Sequence, residues 1–179
     1  MAVSKAPVTS SDHIQGDAHA PITLVEYGDY ECPYCGAAHP HVKLVQKQYG
    51  RQLRFVFRHF PLTEIHPHAQ SAAESAEFAG AHGRFWEMHD LLFENQERLS
   101  IEFLFAAVRS LGLSETELRN ALAQGTYTPK VRDDFLGGVR LGVNGTPAFF
   151  INSRRHDGPF DFPHLAAAID TQLLAVGPG

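Results

Sequence analysis

Ile22-Thr23-Leu24-Val25-Glu26-Tyr27-Gly28-Asp29-Tyr30-Glu31-Cys32-Pro33-Tyr34-Cys35 is the stretch whose reading decides the fold. Its first six residues are β-branched or apolar apart from Glu26 and lie between Pro21 and Gly28, the pattern of a buried strand. Beyond the cysteines, Ala37, Ala38, Val42, Leu44 and Val45 lead to Tyr49-Gly50 and predict a helix from about Pro33 to Gln48. The helix N-terminus then falls at Cys32. Leu53 to Phe57 is a second strand, and strand, helix, strand in this order favours a parallel βαβ unit.

From about His66 to Leu141 the spacing turns helical, broken by Gly80, Gly83, Gly112 and Gly125, which predicts four or five helices. Ser114 and Glu117 have capping-box spacing, so one helix is expected to start at Ser114. Ala148 to Ile151 is a further strand, with a hairpin partner near Arg154 to His156 and a last helix from about Asp161 to Leu174. Phe78, Phe85, Trp86, Phe93, Phe103 and Phe105 recur at helical spacing and are read as core. Pro40 falls inside the first helix, where proline costs about 3 kcal/mol; it is read as structural.

With 179 residues, 44% of them hydrophobic, the chain can bury one core. A formal charge of -5 without long runs of one sign argues against nucleic acid as a partner. There is no apolar run of spanning length, so no membrane insertion is expected. The first twenty residues contain no signal-like block. A cytoplasmic location is therefore favoured, with a periplasmic or extracytoplasmic one as the alternative if a leader has been removed. The two cysteines are too few for a disulfide framework, and a bridge over so short a loop removes little chain entropy. Reactivity is the better reason for the pair.

Cys32-Pro33-Tyr34-Cys35 after a strand and opening a helix, together with Gly145-Thr146-Pro147 before another strand, resembles the DsbA-like branch of the thioredoxin superfamily. The resemblance runs from about Asp17 to Leu174. It implies an α/β thioredoxin fold, a central mixed sheet flanked by helices, with an inserted all-helical subdomain. The thioredoxin portion would be residues 17–64 and 142–175, the helical insertion 65–141, and residues 1–16 an N-terminal extension, all in a single compact unit.

A thiolate is the attacking species in disulfide exchange, and helix N-termini lower a cysteine pKa from near 8.5 into roughly 3.5–7.5. Cys32 is placed to attack, and Cys35, one turn inside, to resolve. Pro33 and Tyr34 tune the thiolate. Tyr34 lacks the imidazole that strongly oxidising DsbA-like relatives place there, which predicts a less acidic Cys32 and a less oxidising disulfide. The resemblance implies that Glu26 is a buried acid exchanging a proton with Cys35; the reading from position alone keeps an exposed strand end as the alternative. It also implies that Thr146-Pro147 is a cis-proline loop presenting backbone to an extended peptide.

The expected function is a protein disulfide oxidoreductase acting on protein or peptide thiols and disulfides, with the direction of electron flow open. No cofactor or metal is expected, because the electrons reside in the Cys32–Cys35 dithiol, and an outside redox partner must reset it. Cys32, Cys35 and His39 on one helix do not converge easily into a zinc site. His59, His66 and His68 are read as surface or loop residues. The rival readings are a glutaredoxin-like glutathione-dependent thioltransferase, suggested by the same Cys-Pro-Tyr-Cys run, and a binding or chaperone module with an idle dithiol.

Overall fold

A computed structural model of the chain describes residues 7–177. Strands β2 (Ile22–Gly28) and β3 (Leu53–His59) flank helix α1 (Pro33–Tyr49), and the two strands run parallel in register from Ile22 opposite Leu53 to Gly28 opposite His59. All but one residue of each strand is buried, which explains why neither alternates cleanly between apolar and polar. Pro40 lies within α1, and the helix continues through it to Tyr49.

Strand β4 (Ala148–Ile151) pairs antiparallel with β2, placing Phe149 opposite Glu26, and β5 (Arg154–His156) closes that side as a hairpin. The connection between β3 and β4 holds five helices: α2 (Ala69–Ala81), α3 (Phe85–Glu94), α4 (Ile101–Ser110), α5 (Glu115–Gln124) and α6 (Thr128–Arg140). The hydroxyl of Ser114 accepts from the Glu117 amide and caps α5 as its spacing predicts. Helix α7 (Phe162–Val176) ends the fold, capped by Asp161, whose carboxylate accepts from the His164 amide.

One departure from the sequence reading lies at the start. Residues 1–16 were read as an N-terminal extension with no strand assigned to it, and His13–Gly16 form strand β1, antiparallel to β3 at its open edge. The resulting order is β1-β3-β2-β4-β5. The segment lacks a strand-like apolar run, but β3 offers unpaired backbone groups along its edge. The His13 ring also stacks on Phe85 at 3.6 Å between centroids.

The sheet is covered on both faces. Leu24, Phe55 and Phe57 share a buried cluster with Val42 and Val45 of α1, Leu165 and Ile169 of α7, and residues of α2 to α5. On the opposite face Val25, Tyr27, Val56, Phe60 and Phe150 pack with Phe135 of α6. The carboxyl ends of β2 and β3 and the start of β4 thus meet at one rim, and the loops leaving that rim carry Cys32 and Pro147.

Helix α6 approaches the sheet closely at Gly138. A Cβ there would stand 2.8 Å from Phe60 Cδ2 and 3.0 Å from Tyr27 Cδ1, whereas at Gly137 the nearest atom is 3.7 Å away. Overpacking of this kind costs about 1–3 kcal/mol, more than the roughly 1 kcal/mol alanine gains over glycine inside a helix. Gly138→Ala should therefore lower the urea midpoint, while Gly137→Ala should hold or raise it. A Gly138→Ala midpoint at or above wild type would disprove the close packing.

Candidate active site

Helix α1 begins immediately after Cys32, whose backbone is extended (φ -74, ψ 121), with Pro33 in the first turn where its missing N–H costs nothing. The helix therefore presents its first free amides to the Cys32 sulfur. Cys32 is 3% exposed and Cys35 fully buried, both as free thiols. The Cys32 pKa is lowered to about 5, first by a hydrogen bond from the Cys35 thiol, against the cost of burial, and then by Thr146 and the amides of Cys35 and Tyr34. Cys35 moves the opposite way: burial, its hydrogen bond to Cys32 and the nearby Glu26 charge push its pKa well up. The two thiols thus differ in acidity in the sense expected from the sequence.

Tyr34, expected to tune the thiolate, is 66% exposed. Its contribution to Cys32 comes through its backbone amide. Glu26 lies in the middle of β2 and is 2% exposed, so it is not an exposed strand end. Its Oε1 has no hydrogen-bond partner. Burial, and secondarily the Cys32 charge, raise its pKa to about 8.

The Thr146-Pro147 peptide is cis and faces the dithiol, with Cys32 Sγ 3.5 Å from the Thr146 carbonyl oxygen. The Thr146 hydroxyl beside it is buried and has no hydrogen-bond partner. Cys32, Cys35, Thr146 and Pro147 therefore converge, and Glu26 is coupled to the pair: the Cys32 charge raises its pKa, and its own charge raises that of Cys35.

Among the histidines read as surface or loop residues, His59 is where sequence reasoning went wrong; His66 and His68 lie in the loop before α2, as read from the sequence. His59 is 1% exposed, and its Nε2 and that of His13 each lie 2.8 Å from Glu77 Oε1. Burial works to raise the Glu77 pKa, but these two hydrogen bonds outweigh it and hold the carboxyl well below its ordinary range. His66 Nδ1 is 2.7 Å from Asp29 Oδ2, and His68 Nδ1 is 2.9 Å from Glu31 Oε1. Asp29 also accepts from the amides of Glu31 and Leu62, and Glu31 from the amide of His68. Each histidine has a carboxylate partner distant in sequence, so no local pattern marks it. The two acids between β2 and Cys32 thereby fasten the active-site loop to the segment preceding α2.

Two groups of ligand-type side chains gather elsewhere, His39 with His89 and Asp90, and His59 with Glu77 and Asp134, each with donor atoms within 4.8 Å. In the first, Lys43 Nζ already lies 2.8 Å from Asp90 Oδ1, a cation in place. In the second, Glu77 is taken by His13 and His59, and Asp134 by Lys130. Neither group contains a cysteine sulfur.

Residues 8–171 match the thioredoxin family model. Among curated proteins, the Na(+)/H(+) antiporter NhaA 1 of Salinispora arenicola is 45% identical over 158 residues, covering 88% of this chain and 24% of that protein. The chain thus spans about a quarter of the length of such relatives. Among solved structures, oxidised BdbD from Bacillus subtilis superposes with a TM-score of 0.83 at 22% identity, covering 93% of this chain and 95% of that one. The alpha-DsbA1 of Wolbachia pipientis gives 0.81 at 20% identity, with 96% of each chain covered. These structures establish the thioredoxin fold. The cytoplasmic location does not stand: the curated relative named above is an antiporter, a membrane protein, and within it the matching stretch is one part of a longer chain. The start of such a stretch says nothing about compartment. No helix among the described residues is long and apolar enough to cross a membrane.

Two measurements follow from the ionisation of the site. Alkylation of Cys32 should rise with pH around a midpoint near 5 and level off by neutrality; a midpoint near 8.5, that of a free thiol, would contradict the geometry. Glu26 holds its proton in the folded chain up to about pH 8 but releases it near 4.5 when unfolded, so between those values the folded state loses stability as pH rises. Glu26→Gln removes this loss. Its stability relative to wild type should climb across that window, reaching about 3 kcal/mol at neutral pH. A pH-independent difference would place Glu26 in water.

Proposed function

The chain belongs to the thioredoxin family, and from that premise we propose that it is a thiol–disulfide oxidoreductase in which Cys32 attacks and Cys35 resolves. The observation that carries this reading is the opposed acidity of two thiols one helical turn apart. The Cys32 thiolate attacks a substrate disulfide, a Cys32–substrate bond forms, and one substrate thiolate leaves. Cys35, losing its proton, attacks Cys32. A Cys32–Cys35 disulfide then forms, the second substrate thiolate leaves, and two electrons have passed to the substrate. Run backwards, the same steps oxidise a substrate dithiol.

Glu26 serves Cys35 in both directions. With a pKa of about 8 it holds its proton for most of the time at neutral pH and donates it to Cys35 when that sulfur departs as a thiolate. In the reductive direction its ionised fraction takes the Cys35 proton. Thr146 supplies backbone for an extended peptide. An apolar groove of about 430 Å³, lined by Phe60, Ile65, Phe135, Val139 and Val143, runs up to Asn144 beside that loop and supports a peptide substrate. The exchange needs no cofactor, since the dithiol holds both electrons. An outside thiol or disulfide resets it.

A Cys32 pKa of about 5 stands between the roughly 7 of thioredoxin and 3.5 of DsbA. The more stable the thiolate, the more oxidising the disulfide, so equilibration with glutathione should place the potential between about -270 and -120 mV. A value at the DsbA end would refute the reading of Tyr34. Cys35→Ser should accumulate a mixed disulfide when mixed with a disulfide-linked (cystine) peptide, releasing one peptide thiol, as seen on a non-reducing gel, and Cys32→Ser should not. If both variants exchange disulfides as wild type does, the proposal fails.

A further inference from the structure

Gln96 opens the short 3₁₀ turn Gln96–Arg98 between α3 and α4, far in sequence from the dithiol. Its Nε2 nevertheless donates to the Tyr30 carbonyl at 2.8 Å and to the Cys32 carbonyl at 2.9 Å. The Cys32 carbonyl also accepts from the Gly36 amide at 3.1 Å, the first bond of the active-site helix. The other end of the Gln96 amide lies over Gly36, where a Cβ would come within 2.0 Å of Oε1. Gly36 is thus the space into which this side chain reaches, and the amide ties the helical block to the backbone on both sides of Glu31.

We propose that Gln96 is a positioning residue for Cys32, holding the carbonyls of residues 30 and 32 so that the first amides of α1 stay aimed at the sulfur. This rests on the reading of Cys32 as the nucleophile. Gln96 touches neither sulfur in any hydrogen bond and acts through the main chain. The two carbonyls it joins lie within three consecutive residues. A single planar group bonded to both restricts the peptide rotations that would swing Sγ away from the Tyr34 and Cys35 amides. Any loosening weakens amide contacts that favour the thiolate over the thiol.

Two variants disturb the tie from opposite ends. Gln96→Ala removes the donor, and Gly36→Ala keeps it but displaces it with a methyl group. Gly36→Ala gains helix propensity but displaces a bonded amide, so its stability can move either way and the alkylation midpoint is the readout. Each should raise the midpoint of Cys32 alkylation by about one pH unit, which cuts the rate near pH 5 about fivefold. Above pH 8, where all three proteins are ionised, the variants should react at least as fast as wild type, because a more basic thiolate is a better nucleophile. A merely structural role would change the denaturation midpoint and leave the alkylation midpoint in place. Wild type titrating near 5 with both variants matching it overturns the inference alone. Wild type with no thiolate below pH 7 overturns the nucleophile reading, and this inference with it.

Discussion

The meeting of the α1 N-terminus with the carboxyl end of β2 is the contact on which the site depends. Helix amides without intrahelical partners must find an acceptor, and Cys32, 3% exposed, is screened from most of the water that would compete. The sulfur becomes that acceptor. Glu26 lies behind it in the same low-dielectric space, so a negative charge on either group raises the pKa of the other. The pocket favours one negative charge at a time, and a proton has to pass between groups whenever a sulfur changes state. Asymmetry between the two cysteines is thus a property of their shared surroundings, more than of either residue.

Holding that arrangement falls to polar ties from outside the βαβ unit. Asp29 and Glu31 are gripped from the segment before α2 by His66, His68 and nearby amides, while Gln96 reaches in from the turn after α3. Beneath them Tyr30 is fully packed among Phe57, His59 and Phe93, with its hydroxyl 2.9 Å from His89 Nδ1. Burial keeps the His89 pKa well below its ordinary value, so the ring stays neutral in the apolar layer. The helical block therefore does more than enclose a core: it sets the backbone on which the nucleophile stands.

What could be read from the sequence was what the chain writes locally. The runs Ile22–Tyr27, Leu53–Phe57 and Ala148–Ile151 are rich in β-branched and aromatic residues, and a strand is their direct expression. Glu26 stood out inside such a run, but its position alone left an exposed strand end open, and its burial was what the family resemblance implied. Strand β1 was missed because its pairing is supplied by the open edge of β3, a property of the neighbour. His59 was misplaced for a related reason: the Glu77 carboxylate that it meets in the interior lies 18 positions away. Gln96 is the extreme case, since its acceptors are backbone atoms and carry no side-chain signature.

The two borders of the sheet bear on how the chain behaves in a crowd. One border is β1, four residues ending in Gly16, and the other is β5, three residues of which Arg154 and Arg155 are exposed. A second copy approaching β5 side by side would bring cation against cation, and neither border is long enough to template much hydrogen bonding. Strand-to-strand association, the usual route from a well-ordered sheet to a fibril, is therefore opposed at both ends by brevity and at one of them by charge.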